Sequence, residues 1–404
     1  MSQDLIRREK LYVGLLTGIQ FFNILDFVIL LPLGPLFMRT LQITPGQFSM
    51  LASSYSLSAG IMGLIYSLFA DSFDRKKFLL ILLSGFIITT LACALAKSFH
   101  FLLIARILAG IFGGIITPVV YAIVTDLIPF KRRGRAMGTI MATFSITSIF
   151  GIPTGLAIAN AWGWRYTFFL ISAGAFFASL LIIKLLPSIP VTKTINTATE
   201  KLIKTFKLGL QKHFQLPFLL MMTFTASGFL LFPFLSPYAV KNIGISETEI
   251  KYIYFIGGIF TVFSSKLTGI LTDRYGSMKI FFPALFISLP FIYLYTHIEN
   301  IKLSSLLIIS TGFMVMINLR FIPVMTLLTQ SPSINERGAF MAILLSLRSF
   351  ASALATAFAG YLITENQMGK LSNFDLIGNI SICLSLIGLL LFLRLNNNLK
   401  KERG

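Results

Sequence analysis

The sequence contains few acidic side chains and few side chains that bind metals or act as nucleophiles. Its 404 residues include 15 Asp and Glu together, three His and two Cys. His100, His213 and His297 stand at or just beyond the ends of apolar runs and lack the spacing of metal ligands. Cys93 and Cys383 lie inside apolar runs, where a cysteine usually serves as a small hydrophobic side chain. We therefore expect no metal site, no disulfide and no cofactor, and we find no nucleophile motif or phosphate-binding loop of an enzyme.

The sequence is rich in hydrophobic residues, which make up 55% of it, and only 12% of its residues are charged. With a mean hydropathy of +0.83, it is too apolar for a soluble globular protein. The formal net charge of +19 does not indicate nucleic-acid binding, because the basic residues occupy short gaps between apolar runs and form no stripe or tail. The composition therefore predicts a protein of the lipid bilayer without a nucleic-acid partner.

Twelve apolar runs are long enough to cross a membrane, for which about 20 apolar residues are needed. They predict an all-α membrane protein with transmembrane helices at 11–37, 48–70, 78–96, 101–124, 136–159, 166–186, 216–238, 250–272, 280–296, 303–326, 339–364 and 375–393. Because the number of crossings is even, both ends of the chain should lie on the same side. Of the 34 Lys and Arg residues, 23 fall on that side and seven in the gaps on the other side. By the positive-inside rule, both termini are expected in the cytoplasm and the protein in the cytoplasmic, or inner, membrane.

The two halves of the chain repeat each other in their polar loops. The stretches 67–77 and 269–279 are alike, each joins two apolar runs, and their aspartates, Asp71 and Asp273, are 202 residues apart. An Arg-Gly pair also precedes both span 5 and span 11, and a pair of prolines lies late in both span 1 and span 7. Repeats at half the chain length are typical of duplicated transporters. We therefore predict a six-helix bundle, a cytoplasmic linker and a second six-helix bundle, at 1–186, 187–213 and 214–404.

The repeated loops resemble the G-x-L-A-D-R-x-G-R-K signature of the major facilitator superfamily. The loop after span 2 keeps three residues of that signature, Asp71, Arg75 and Lys76. It departs from the signature at three others, Ser67, Ser72 and Asp74. The loop after span 8 keeps four residues, Gly269, Asp273, Arg274 and Gly276. The resemblance covers essentially the whole chain, and it implies two pseudo-symmetric six-helix bundles around a cavity that opens alternately to the two sides of the membrane.

Two further elements carry the resemblance: the one in span 4 resembles the superfamily as a whole, and the one in and after span 5 resembles its twelve-span drug and sugar efflux branch. Span 4 carries an R-x-x-x-G element that begins at Arg106. Span 5 carries Gly151, Pro153 and Gly155 as G-x-P-x-G, and Gly-Trp-Arg follows at 163–165. The glycines in span 5 allow helices to approach each other closely, and Pro153 loosens the backbone. The motif therefore has either a gating role or a role in tight packing alone.

The resemblance also implies a gating role for the repeated loops. Asp71 and Arg75 in the first loop are expected to pair with neighbouring charges or helix ends and so latch the cytoplasmic side shut. Asp273 and Arg274 in the second loop are expected to do the same. The alternative is a solvated, positively charged loop that only fixes the orientation of the protein in the membrane.

One acidic residue lies deep inside a span. Asp26 stands about 15 residues from the cytoplasmic end of span 1, or roughly 22 Å into the membrane at 1.5 Å per residue. A carboxylate there is costly unless it is protonated or paired, so Asp26 is expected to bind and release the coupling proton. Arg106 of span 4 is the expected partner, although its place near the outer end of that span also fits a side chain that extends to the outer interface. The alternative role for Asp26 is a permanent ion pair that holds helices together.

Two basic residues lie inside spans of the second half. Arg348 stands near the centre of span 11 and Arg320 in span 10, and no acidic residue of that half is deep enough to neutralise them. We expect both to face an aqueous cavity and to bind an anionic or zwitterionic substrate, since two arginines can hold one carboxylate or phosphate. The alternative is contact with backbone carbonyls or helix ends. Asn318 and Asn23, which stand near Arg320 and Asp26 in the sequence, are assigned to the same substrate site.

These features predict a monomeric, proton-coupled secondary transporter that exports a small amphipathic organic molecule, with an anionic one favoured by the two arginines. Its partners are the small-molecule substrate, protons and the lipid bilayer. Three alternatives stay open: an importer or symporter of a small metabolite on the same fold, a broad multidrug efflux pump, and a membrane-embedded enzyme or sensor. The lack of catalytic motifs and of a soluble domain beyond the linker argues against the last of these.

Overall fold

A computed structural model of the protein describes residues 3–69, 73–189, 207–333 and 336–401. Within these residues, twelve helices are long and apolar enough to cross a membrane, which confirms the twelve predicted spans and the all-α fold class. In chain order they are α1 Gln3–Ile29, α2 Pro45–Phe69, α3 Arg75–Leu95, α4 Phe99–Leu127, α5 Phe130–Ile146 with Ile152–Trp162, α6 Trp164–Leu185, α7 Lys212–Phe229, α8 Ile250–Tyr275, α9 Ser277–His297, α10 Leu303–Leu328, α11 Arg337–Leu362 and α12 Phe374–Lys401.

The helices form two bundles, α1 to α6 and α7 to α12, each of which packs mainly on itself. A long apolar segment in lipid must satisfy its own backbone hydrogen bonds, and the α-helix does this within one segment. Because twelve helices alternate in direction, both chain ends lie at the same end of the molecule. We call that end the termini face and the other end the opposite face.

The helices α1 and α7 are broken at equivalent places near the opposite face. After α1 the chain turns at 30–33 and continues as a short helix, Gly34–Leu41. After α7 it passes through a 3-10 turn at Phe232–Phe234 and short helical segments that end at Ile243. A proline lacks the amide donor of a regular helix, and both breaks hold the repeated proline pair noted in the sequence. The duplicated sequence pattern therefore corresponds to a duplicated break.

The helix α5 is also irregular, at the predicted proline motif. A π-helical turn occupies Thr147–Gly151, and the amide of Ile152 bonds to the carbonyl of Thr147 at its end. Pro153 follows at once and has no amide to donate to the preceding turn. The loosened backbone that we predicted at Pro153 is present, whereas its gating role stays a prediction.

The hydrophobic core is divided into two buried clusters, of which the bundles share only one. One buried cluster runs through the first bundle and into the part of the second bundle near the opposite face, where it includes Leu231, Tyr295 and Ile363. A separate cluster near the termini face belongs to the second bundle alone and includes Phe214 and Phe340. The two bundles therefore share a core near the opposite face and have separate cores near the termini face.

Close contacts between the bundles occur along α2 with α11 and along α5 with α8. Near the opposite face, a Cβ atom built on Gly46 would lie 3.2 Å from the carbonyl oxygen of Gly360. Further along, a Cβ atom built on Gly258 would lie 3.2 Å from the backbone of Ser148. Such approaches need small residues. The opposite face is therefore closed in this conformation.

A short hairpin that the sequence analysis did not predict joins α11 to α12. Its strands, β1 Thr364–Glu365 and β2 Leu371–Ser372, pair antiparallel at the opposite face. The buried side chain of Asn242 bonds to both the carbonyl and the amide of Leu371, each at 2.9 Å. The helical segment at Ala239–Ile243, which follows α7, therefore fixes the hairpin in place.

Candidate functional site

A buried ion pair joins α1 to α4 in the first bundle. The guanidinium of Arg106 donates to Asp26 Oδ2 at 2.9 Å, and the two side chains are 1% and 0% exposed. Arg106 also lies 4.7 Å from the centre of the Tyr55 ring, a cation–π contact. Thr90 of α3 lies 3.4 Å from the second carboxylate oxygen. The predicted pairing is confirmed, and the alternative that Arg106 extends to the outer interface is wrong for this conformation because the side chain turns inward to the carboxylate.

Breaking this ion pair costs free energy, and protonation of Asp26 removes the attraction between its two members. Burial removes water from both ions, and their attraction and hydrogen bonds must offset that loss. Asp26 is the only buried acidic side chain in the part of the chain that the structure describes. When the carboxylate takes up a proton, Arg106 becomes a buried cation without a counter-charge. Among the described residues, protonation of Asp26 therefore causes the largest change of charge in the membrane interior.

A polar network surrounds the pair, and most of its members were missed in the sequence. Gln20 and Asn23 of α1 both donate to the hydroxyl oxygen of Thr117 in α4, at 2.7 and 3.4 Å. The hydroxyl of Tyr55 in α2 donates to the amide oxygen of Asn23 at 3.5 Å. The spacing of Gln20, Asn23 and Asp26, three residues apart along one helix face, was the available signal. Asn23 therefore contacts the network around Asp26, and its assignment to the substrate stays a prediction.

Arg320 does not face a water-filled cavity in this conformation, contrary to our expectation. Its guanidinium is 2% exposed and donates to the hydroxyl oxygens of Ser385 at 2.8 Å, Ser227 at 3.1 Å and Ser288 at 3.4 Å. The serines in turn bond to backbone carbonyls, such as that of Ser381. Arg320 is thus held by neutral oxygens of α7, α9 and α12, close to the alternative that the sequence left open.

Arg348 and Asn318 remain available for a ligand. The guanidinium of Arg348 lies 4.9 Å from the centre of the Phe321 ring, and the side chain is half-buried. No carboxylate among the described residues pairs with it. Asn318 is half-buried and three residues before Phe321, so both share one face of α10. These residues combine a cation, an aromatic ring and an amide in the half of the second bundle nearer the termini face.

Arg75 and Arg274, one from each repeated loop, both contact neighbours within their own bundle. Asp71 lies outside the described residues. Arg75 pairs with Asp126 at 3.2 Å, which joins α3 to the end of α4 within the first bundle. Asp273 and Arg274 are exposed, and Arg274 lies over the neighbouring Tyr275 ring. Among the described residues no ion pair joins Asp273 or Arg274 to the first bundle, and the latch stays a prediction.

Two other residues of the first loop fasten α3 to the end of α6. Asp74 caps α3 by accepting from the amide of Lys77 at 2.8 Å, and it accepts from the hydroxyl of Ser188 at 2.6 Å. Partial burial opposes the charge of Asp74, but these hydrogen bonds outweigh it and lower the pKa of the carboxyl below its ordinary value. Lys76 donates to two carbonyl oxygens at the end of α6, at 2.9 and 2.6 Å. Asp74, a departure from the family signature, therefore has a structural role of its own.

An ion pair that the sequence analysis missed links the bundles at the opposite face. Arg39, after α1, donates to both carboxylate oxygens of Glu247, before α8, at 3.1 and 2.9 Å. Asn160 at the end of α5 lies 3.3 Å from the carbonyl oxygen of Glu247. A cavity of about 900 Å³ beside this link is lined by Tyr361 and Lys241 among others, and it opens at the same face. Two helices of the first bundle thus converge on Glu247 where the molecule is closed.

The sequence matches that of known membrane carriers. The sequence model of the Major Facilitator Superfamily matches residues 16–356 and 217–402. An uncharacterized MFS-type transporter of Bacillus subtilis, YceJ, is 22% identical over 379 residues, which cover 90% of this chain and 93% of that protein. Another from the same organism, YwfA, is 37% identical over 130 residues, or 30% of this chain and 32% of that protein.

Solved structures have the same fold. A bacterial homologue of the human lysosomal transporter Spinster, in an inward-facing and unoccupied conformation, superposes with a TM-score of 0.78 at 17% identity, over 99% of both chains. A point mutant of the nucleoside transporter NupG superposes with a TM-score of 0.75 at 15% identity, over 96% of this chain and 99% of that one. Together with the family match, the twelve spans and the two bundles, these likenesses lead to one conclusion: the chain belongs to the Major Facilitator Superfamily and is a secondary transporter of the membrane.

Proposed function

We propose that this protein is a proton-coupled transporter that exports small amphipathic, anionic organic molecules by alternating access. The observation that supports this most is the fully buried pair of Asp26 and Arg106, 2.9 Å apart. A proton on Asp26 removes the counter-charge of Arg106, and the surrounding helices must then adjust. A proton gradient can therefore favour one conformation of the carrier over the other.

Proton coupling resides in the first bundle. The second bundle also buries an arginine, Arg320, but its partners are serine hydroxyls, which do not ionise in the physiological range. The charge of that cluster is therefore constant when the pH changes. Asp26 is the only buried carboxyl group among the described residues, and a carboxyl group can gain and lose a proton in the membrane interior.

The substrate site lies around Arg348, Phe321 and Asn318. The contact of Arg348 with an aromatic ring, without a described carboxylate, leaves its positive charge available to an anion. The ring of Phe321 gives the apolar part of the substrate a surface, and the amide of Asn318 offers both a donor and an acceptor. A cation would be repelled by Arg348, so this site supports a narrower specificity than that of a broad multidrug pump.

The termini face is the cytoplasmic face in this proposal. The excess of Lys and Arg on that side supports the orientation in the cytoplasmic membrane. The conformation described is then closed to the outside, with Arg39 and Glu247 as an outer latch. We infer export as the direction of transport because the proline motif of α5 resembles that of the efflux branch. We propose a monomer as the working unit, since one chain carries both bundles.

Gating depends on the irregular part of α5 and on the repeated loops. The π-helical turn ends at Gly151, and Pro153 stands between Gly151 and Gly155. This part of α5 contacts α8, so bending of α5 there would separate the bundles. When the cytoplasmic face closes, the loops that carry Asp71 and Asp273 approach each other's bundle and form the latch that the family resemblance implies.

Transport in proteoliposomes tests the proposed function. Purified protein is reconstituted, an inward or outward pH gradient is imposed, and the movement of a carboxylated fluorescent amphiphile is followed. The expected result is movement of the dye against its gradient, in the direction opposite to the proton flow. Asp26→Asn should abolish the gradient-driven part. Movement in the same direction as the protons would instead support the symporter alternative.

A further inference from the structure

Asp26 needs a route for its proton, because its side chain is 0% exposed. Towards the termini face, the next polar side chains on the same face of α1 are Asn23 and Gln20, at successive spacings of three residues. They are 5% and 3% exposed. The next hydroxyl, that of Thr17, bonds to the carbonyl oxygen of Val13 at 2.7 Å. Polar side chains therefore extend about 9 Å along the helix from Asp26, at 1.5 Å per residue.

The polar groups of this stretch are organised around one hydroxyl. Thr117 Oγ1 accepts from Gln20 Nε2 at 2.7 Å and from Asn23 Nδ2 at 3.4 Å. Tyr55 donates to the amide oxygen of Asn23 at 3.5 Å, and its ring contacts Arg106. Three helices, α1, α2 and α4, thus surround a continuous set of donors and acceptors that begins beside the ion pair.

Two buried polar atoms of this set have no partner among the described residues. Gln20 Oε1 is an acceptor without a donor, and Arg106 Nε is a donor without an acceptor. Buried polar groups are usually satisfied, and an ordered water serves where protein groups are missing. The two unpaired atoms stand at the two ends of the network, and they need complementary partners. One short chain of water molecules satisfies both.

A glycine of α4 lets two members of the network pack closely against that helix. A Cβ atom built on Gly113 of α4 would lie 2.3 Å from the hydroxyl oxygen of Tyr55 and 3.0 Å from the amide oxygen of Asn23. Any side chain at this position would therefore enter the network. Gly113 therefore lets the hydroxyl of Tyr55 and the amide of Asn23 lie against α4, where their hydrogen bond joins α2 to α1.

We propose that Gln20, Asn23 and Thr117 bind a chain of water molecules that carries the proton between Asp26 and the termini face. In this step the O–H bond of the Asp26 carboxyl breaks, the adjacent water accepts the proton, and each water passes one proton onward. The carboxylate that remains is paired with Arg106, which keeps all its protons throughout. The other charged or titratable groups that face Asp26 are Cys93 of α3 and Tyr55 of α2. This inference rests on the proposed proton coupling.

The experiment measures how fast and at what pH the carrier changes conformation. Fluorophores are placed at Phe130→Cys and Tyr275→Cys, exposed positions of the two bundles at the termini face, in a Cys383→Ser background. The distance between them is recorded as a function of pH and after a pH jump. The variants are Gln20→Met, nearly equal in volume, and Asn23→Leu, with Thr17→Val as the matched control on the same helix.

We expect both variants to respond to the pH jump about tenfold more slowly than the parent, because each removes a partner of the waters. The midpoint of the equilibrium profile should stay unchanged, which also shows that the variants are folded. Thr17→Val should match the parent in both measurements. Unchanged rates, or shifted midpoints with unchanged rates, would overturn the route and leave proton coupling intact. A parent protein without any pH response would overturn proton coupling itself, and the route with it.

Discussion

Ser227 stands 201 residues after Asp26 and accepts a hydrogen bond from Arg320 at 3.1 Å. Each bundle therefore buries an arginine against its first helix, but only the first bundle gives that arginine a carboxylate. The helices and the broken segments are repeated in the two bundles, whereas the partners of the two buried arginines differ. In this account one bundle responds to protons and the other binds substrate.

Replacement of Arg106 should lower the free energy of unfolding more than replacement of Arg320. Arg106→Met leaves a buried carboxylate unpaired, and we expect a loss of about 3–5 kcal/mol in the free energy of unfolding at pH 8. Arg320→Met leaves neutral hydroxyls that can bond to each other, and we expect about 1–3 kcal/mol. The loss for Arg106→Met should shrink at pH 5, since a neutral acid is less costly to bury than an unpaired carboxylate. Unfolding of the purified variants in detergent at both pH values measures this, and equal, pH-independent losses would contradict it.

Closure of the opposite face should depend on Gly360. A Cβ atom built there would lie 1.8 Å from Ser49 Oγ and 2.2 Å from Ser49 Cβ, across the contact between α11 and α2. Gly360→Ala should therefore oppose closure of this face and shift the population towards the conformation closed at the termini face. The distance between labels at residues 130 and 275 should shorten.

A matched control exists on the same helix. A Cβ atom built on Gly338 meets nothing within 4 Å, so Gly338→Ala should leave the distance unchanged. An unchanged distance in Gly360→Ala, with normal folding, would show that the contact of α2 with α11 does not determine closure.

Some of this site was predictable from the sequence, and the reasons differ by residue. Asp26 and Arg106 were found because isolated charges in apolar runs are rare and must find partners. The repeated proline pairs were seen as a sign of duplication, but the breaks in α1 and α7 were not predicted, and spans 1 and 7 were expected to be continuous, although the effect of proline on a helix is local. The serines around Arg320 and the contact of Arg39 with Glu247 could not be found this way. They join residues 32 to 208 positions apart through packing of whole helices, and serine in a membrane helix gives no signal of its own.

Asp74 should not contribute to pH dependence in the physiological range. Its lowered pKa means that the ionised form favours the folded state. That contribution is complete above the ordinary pKa of about 4 and is lost as the pH falls through the lower pKa of the folded protein. Asp74→Ala should remove the cap of α3 and cost about 1 kcal/mol equally at pH 5 and pH 8. A shift in the pH midpoint of the conformational change in this variant would contradict the assignment of that midpoint to Asp26.

Arg348 should determine the preference for substrate charge. Competition binding with matched anionic, neutral and cationic ligands should rank the anion first, because only the anion gains a charge-assisted contact. Arg348→Ala should weaken binding of the anionic ligand by about 1.5–3 kcal/mol and binding of the neutral ligand much less. Arg320→Ala should weaken binding of all three ligands to the same extent, because the guanidinium of Arg320 donates its hydrogen bonds to serine hydroxyls and not to a ligand. A preference for the cation that Arg348→Ala leaves unchanged would restore the multidrug alternative.

The central claim is that protonation of Asp26 sets the conformation, and the pH profile of the distance between labels at residues 130 and 275 tests it most directly. Between pH 5 and pH 8 the parent protein should pass from one distance to another. Asp26→Asn, which resembles the neutral acid and cannot titrate, should hold the low-pH distance throughout. Glu299→Gln, the same change at an exposed carboxylate paired with Lys370, should behave as the parent. A profile for Asp26→Asn that coincides with that of the parent would contradict the account.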